Sequence, residues 1–313
     1  MSETKADPSS SCFIPRAPFD DASADVILRS SDGADFHVHR LVLSLASPFF
    51  KDMFTLPQSN SESPVTLPAV QMSESSHVLD MALRFWYPGA EPIPRQTLDE
   101  FRDMSEALIM KYDMQFLVPF AKKHLREYLE EDPVAVFGIA CRHEWREIAL
   151  GSAKCCLRLP LRAFESAPPT QLKYMAADTY HILLHYHSEC AKVAAASTSS
   201  LQWAPYQDIP GADCPNWTDP HICPRAGHWT FAHNTMAPIT AWLAAYLRCL
   251  TDELLRCPSA PLDTPELLGL PISKMGSCSS CAVDGYASLM NFVAVLRQKI
   301  EGDLNAVELM LDF

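Results

Sequence analysis

Ten of the 11 cysteines in this 313-residue chain lie beyond residue 133, and only Cys12 precedes it. That division constrains the fold more than any other feature. One disulfide network cannot hold together a chain whose first part has almost no thiols. Two regions of different composition fit two domains, with a boundary near Glu130-Glu131-Asp132-Pro133. The length agrees, at ~150 residues per domain. Hydrophobic residues make up 48% and charged residues 20%, which supplies sizeable cores and argues against global disorder. The polar opening MSETKADPSSS has no signal-peptide pattern. The longest apolar stretch, around Met236 to Leu247, is broken by Pro238 and Thr240. It is short of the ~20 residues that span a bilayer. The expectation is therefore an intracellular protein, cytoplasmic or nuclear, with reduced thiols and no membrane. In such a protein clustered cysteines bind metal more often than one another.

Charge is also uneven. Residues 1–132 hold 12 Lys+Arg against 21 Asp+Glu, and residues 133–313 hold 13 against 17. Neither part has the basic surplus that phosphate neutralisation requires, so no nucleic acid is expected as a partner.

Along the chain, residues 1–18 are rich in Ser and Pro and read as a flexible tail. Ala24 to Leu28 and Ala34 to His39 read as a hairpin about the turn Ser30-Ser31-Asp32-Gly33. Arg40 to Ala46 is an apolar helical segment. Ser47-Pro48 fits an N-cap followed by Pro at the first helical position, starting a second helix that ends near Met53-Phe54. Pro64 to Leu67 is a further strand candidate. Helical spacing then takes over in three stripes: Val78, Met81, Ala82, Phe85 and Trp86; Leu98, Phe101, Ser105, Leu108 and Tyr112; and Phe116, Phe120, His124 and Tyr128. Hairpin, helical pair, lone strand and three amphipathic helices make an α+β unit of about 110 residues.

The remainder reads as helical. Pro133 to Ala140, Trp145 to Leu157, Pro168 to Tyr186 and Thr235 to Leu255 are expected helices, the last offset by Pro238. Leu289, Phe292, Val293, Leu296 and Ile300 mark a closing helix. Residues 197–234 read as a loop.

The first unit resembles the BTB/POZ domain over residues 19–130, in several motifs in register. Phe19 to Val26 looks like the family's opening "aDv" strand and Phe36 to Leu43 like its "F.vHr.vL" segment. Ser47 to Phe54 is similar to its "S..F..mf" helix, Phe85 to Gly89 to "l.yiYtg", and Ala107 to Met114 to "ll..a.kY.m". The second unit, 133–313, resembles the C-terminal half of a group of fungal, mainly mushroom-type, BTB proteins. That likeness rests on Leu183 to Cys190, on Trp242 with Tyr246, and on Cys278-Ser279-Ser280-Cys281 before the closing helix. The resemblance implies an α+β fold: an N-terminal BTB/POZ domain followed by a mainly α-helical domain. It also implies a protein–protein interaction module that homodimerises through its first strand and helices, here Phe13, Ile14, Phe19 and the helices of Leu41 to Phe54. Expected pocket and interface residues are Asp25, His39, Arg40, Phe49, Phe50, Met53 and Phe54. Asp25 and Arg40 match a charged pair lining the pocket between BTB subunits, or else form an intramolecular ion pair. His39 matches a position that packs at the strand–helix junction. Some family members contact a cullin-type ubiquitin-ligase scaffold, here near Trp86 to Pro94. The implied role is an adaptor or scaffold. A transcriptional regulator acting through BTB contacts is the alternative, and a zinc-dependent enzyme is a less favoured one.

Cys278-x-x-Cys281 is the sharpest chemical signal. Two thiolates at that spacing grip one tetrahedral Zn²⁺ and need two further ligands. The long loop offers Cys214, His221, Cys223 and His228. The resembling fungal proteins often carry a second Cys-x-x-Cys there, whereas this chain has Cys223-x4-His228. The expected centre is a structural Zn²⁺ on Cys223, His228, Cys278 and Cys281, joining the regions about 197–234 and 273–285. The alternative is buried free thiols. His181 and His185 stand at i, i+4, but His-Ile-Leu-Leu-His lacks the glutamate of a metalloprotease, and half-buried helix histidines are the better reading. Cys190 is the reserve ligand. No phosphate-binding glycine loop and no G-x-S-x-G occurs, and no catalytic set is expected.

Overall fold

Val26–Arg29 (β1) and Asp35–Val38 (β2) pair antiparallel, Val26 opposite Val38 and Arg29 opposite Asp35. The computed structural model describes residues 13–56, 67–91, 96–165, 172, 175–216, 219 and 221–313. Gly33, at φ +88°, closes the turn between the strands in a conformation that favours glycine. The alternation works as the pleat requires, with Val26, Leu28, Phe36 and Val38 fully buried. Ala69–Gln71 (β3) adds parallel to β1, giving the order β2-β1-β3. The strand candidate at Pro64 to Leu67 lies almost wholly outside the described residues.

Arg40–Ala46 (α1) and Pro48–Thr55 (α2) follow the hairpin. Ser47 caps α2 as its sequence suggests. Its hydroxyl accepts from the Phe50 amide and donates to the Tyr112 carbonyl at 2.5 Å. Ser76–Trp86 (α3) and Leu98–Ser105 (α4) follow, α4 opened by a Thr97–Glu100 capping box. The chain then widens into a π-helical turn, Glu106–Lys111, before Val118–Leu125 (α5).

The α5 stripe differs from the expected one. Leu117, Ala121, Leu125 and Tyr128 are buried, whereas Phe116 and Phe120 are 50% and 62% exposed. Both rows satisfy helical spacing of three to four residues, so periodicity alone does not choose between them. Of the expected tail, residues 13–18 pack against this unit: Phe13 stacks on Phe36 at 5.9 Å, and Arg84 donates to the Arg16 and Ala17 carbonyls.

The chain divides between Tyr128 and Leu129. The second unit opens on Pro133–Arg142 (α6), capped by Asp132, whose carboxylate accepts from the Ala135 amide at 3.0 Å. Arg146–Cys156 (α7) packs on α6, and Leu161–Glu165 (α8) follows. Ala177–Ser199 (α9), Ala241–Arg256 (α10), Pro265–Met275 (α11) and Ser279–Ala306 (α12) form the main helical stack, α9 against α10 and α12 and α10 against α11. By length and composition α12 is the one described helix able to cross a membrane. Its stripe of Leu289, Phe292, Val293, Leu296 and Ile300 is buried within this unit.

The helix expected from Thr235 to Leu255 begins later, because Met236–Thr240 is a strand (β5) paired with Arg225–Thr230 (β4). Trp229 pairs with Ala237 and Ala226 with Ile239, so Gly227 and His228 bulge opposite Pro238. Proline cannot donate to a ladder, and a bulge accommodates it. The loop before β4 is anchored by Trp203, which stacks on Phe292 at 5.8 Å and donates to the Ser197 carbonyl.

Candidate metal centre and interaction surface

Four sulfurs converge in the second unit. The Sγ atoms of Cys214, Cys223, Cys278 and Cys281 all lie within 4.8 Å of one another, and all four residues are buried. Cys214–Cys278 is 3.6 Å, and Cys223–Cys281 and Cys214–Cys281 are both 3.8 Å. A tetrahedral Zn²⁺ with bonds of about 2.3 Å separates its sulfurs by about 3.8 Å. The group therefore has the size of a four-thiolate cage and could hold a metal ion.

Local structure explains the convergence. Cys278 is the N-cap of α12 and Cys281 lies in its first turn, where unpaired amides and the helix dipole favour negative charge. The 273–285 region is therefore mostly helical, with only a short turn between α11 and α12 before the pair. Cys214 follows the Gly211 turn, and Cys223 ends a turn in which the Asp219 carboxylate accepts from the His221 amide at 2.9 Å. Asn216 donates to Cys278 at 3.6 Å.

Burial pushes the Cys278 thiol up, but its interactions with the Cys281 backbone, with Asn216 and with neighbouring thiols outweigh burial and bring its pKa down to about 6. Burial holds Cys281 up at about 11 against the pull of the Trp242 indole. Cys223 is raised by burial and by the thiols of Cys214 and Cys281. One thiol of the group thus ionises readily, while Cys223 and Cys281 hold their protons more tightly without a cation among them. A divalent ion held among them would supply the charge that removes those protons.

The sequence points to His228 as the fourth ligand, whereas the structure groups Cys214, and not His228, with the other three cysteines. His228 sits in the β4 bulge, exposed and outside the group. His221 is exposed too. Cys190, the reserve ligand, is core on α9, its pKa raised by burial to about 11. Burial likewise raises Cys141 to about 12 and lifts Cys156 and Cys257, the behaviour of thiols used as small apolar side chains. His181 and His185 are exposed on α9, rings 6.5 Å apart, while His187 is buried beside Phe164 with Nε2 against the Leu159 carbonyl at 3.0 Å.

The first unit presents an apolar row. Leu41 and Leu45, one turn apart on α1, are 69% and 80% exposed, and Phe49 on α2 is 41% exposed. Met53 and Phe54 are half-buried. Phe50 and Phe19, expected at the interface, are core residues instead: Phe50 stacks on Tyr112 at 4.9 Å, and Phe19 packs edge-on to Tyr87 at 5.4 Å.

Asp25 and Arg40 form no side-chain ion pair with each other among the described residues. The Asp25 carboxylate accepts from the Arg40 backbone amide at 2.7 Å, closing the start of α1, and the Arg40 guanidinium lies 5.3 Å over the Phe54 ring. His39 stands at the β2–α1 junction, its ring 2.7 Å from the Tyr87 hydroxyl. Of the Trp86 to Pro94 segment, residues 92–94 lie outside the described residues.

Residues 19–127 match the family model of the BTB/POZ domain. No curated protein matches the chain.

Proposed function

From a chain whose residues 19–127 form a BTB/POZ domain, a protein–protein interaction module, we propose an adaptor or scaffold that homodimerises through the α1–α2 face. The observation that carries this reading is the apolar row Leu41, Leu45 and Phe49, left in solvent together on the adjoining helices α1 and α2. A second copy covers it with the same residues, as a two-fold interface requires. The second unit, stapled by one structural Zn²⁺ on Cys214, Cys223, Cys278 and Cys281, is the part free to carry a cargo contact. Four thiolates leave zinc no open position, which supports a non-catalytic role. The same thiolates favour a reducing, intracellular setting. A cullin scaffold as partner rests on fold analogy. Co-purification tests it, and a clean miss under conditions that capture a known adaptor overturns it.

Light scattering of the full chain tests dimerisation. The wild type runs at about twice 34.9 kDa, and Leu41→Glu with Leu45→Glu runs near the single-chain mass with its thermal midpoint kept. A monomeric wild type, or a dimer indifferent to both changes, overturns the proposal.

A further inference from the structure

A cavity of about 600 Å³ opens in the second unit between α7, α9, α12 and the segment 258–262. Its floor is apolar and buried: Leu157, Tyr186, Leu262, Ile300 and Leu304. Its exposed mouth carries Lys154, Arg158 and Arg297 against one carboxylate, Glu301. Three cations at one opening are notable in a chain of net charge −13.

These cations are not locked. Lys154 has only the Asn305 amide oxygen, at 2.8 Å, among the described residues. Arg158 meets Glu130 at 2.9 Å and Arg297 meets Asp263 at 3.2 Å, but both pairs are solvent-exposed and their carboxylates lie outside the lining. Exposed pairs of this kind hold weakly, so an incoming anion can exchange for them. Volume, apolar floor and a few converging polar groups are the features of a small-molecule site.

We infer that this cavity binds a small organic anion, an apolar body on the Leu157–Ile300 floor with an acidic group held by Lys154, Arg158 and Arg297. The inference stands apart from the α1–α2 face and from the cysteine centre.

The test uses the full chain and two fluorescent probes of similar shape, anionic 8-anilinonaphthalene-1-sulfonate and uncharged N-phenyl-1-naphthylamine. The anionic probe should saturate at one per chain. Lys154→Met with Arg297→Met, both exposed positions, should weaken it about tenfold or more, while the neutral probe changes less than about twofold. The Leu41→Glu, Leu45→Glu protein should bind as the wild type does. Three results overturn the inference: no saturable site, equal effects on both probes, or binding that disappears with the α1 row.

Discussion

Cys278 gathers in one residue the influences that make a ligand: a helix N-terminus, the Asn216 amide and three other sulfurs. Its pairing with Cys281 was legible from spacing alone, since a Cys-x-x-Cys at a helix start holds both sulfurs on one side. Cys214 was not, because it lies 64 residues from Cys278 and reaches it only through the fold of an aperiodic loop. The histidine chosen from sequence was nearer to Cys223 but occupies a bulge that turns it to solvent. Metal analysis separates the two sets. Wild type should carry about one Zn²⁺ per chain. Cys214→Ser and Cys278→Ser should each reduce this to a small fraction, and His228→Ala should leave it unchanged. Full occupancy in Cys214→Ser would overturn the four-cysteine centre.

At the scale of elements, the hairpin turn is tied to α3 through Asp32. Its carboxylate accepts from the Ser30 and Ser76 hydroxyls, each at 2.6 Å, and from the Ser76 amide at 2.8 Å. The hydroxyls of Ser30 and then Ser76 draw its pKa from 3.8 down to about 2. A depressed carboxylate pKa means that the unfolded chain binds protons first. The contribution is therefore whole above pH 3.8 and lost as pH falls through about 2. Asp32→Ala should cost about 1 kcal/mol at pH 7, or less given its exposure. Urea unfolding at pH 7 and at pH 2.5 checks this, with the gap between variant and wild type narrower at the lower pH. The turn and the Ser47-Pro48 start of α2 were readable because each rests on neighbours in sequence. The α5 stripe and the β4–β5 hairpin were not. Two candidate rows share the α5 spacing, and β5 exists only because β4 lies beside it.

For the whole molecule, the two units differ in what holds them. The first relies on the sheet and on aromatic packing about Phe36, Phe50 and Tyr112. The second has a long aperiodic connection between α9 and β4 that packing alone secures only in places, such as Trp203 on Phe292. If zinc is its staple, a chelator should raise amide exchange in residues 200–224 and 276–285 and leave residues 19–127 unchanged. Hydrogen-exchange mass spectrometry reads this directly, and uniform protection with and without chelator counts against a structural metal.

What the sequence by itself determined is what local chemistry can dictate: the division into two regions, the hairpin and its turn, the capped helices, the BTB/POZ likeness and the Cys-x-x-Cys. Each depends on residues a few positions apart, where spacing and side-chain type act directly on the backbone. Only the tertiary structure decided which residues meet across long separations. It turned Phe50 inward and left Leu45 outside, placed His228 in a bulge, brought Cys214 to Cys278, and set three cations around an apolar hollow. Those outcomes depend on which of several equally apolar or equally polar candidates the packing of other elements leaves room for, and no local rule contains that information.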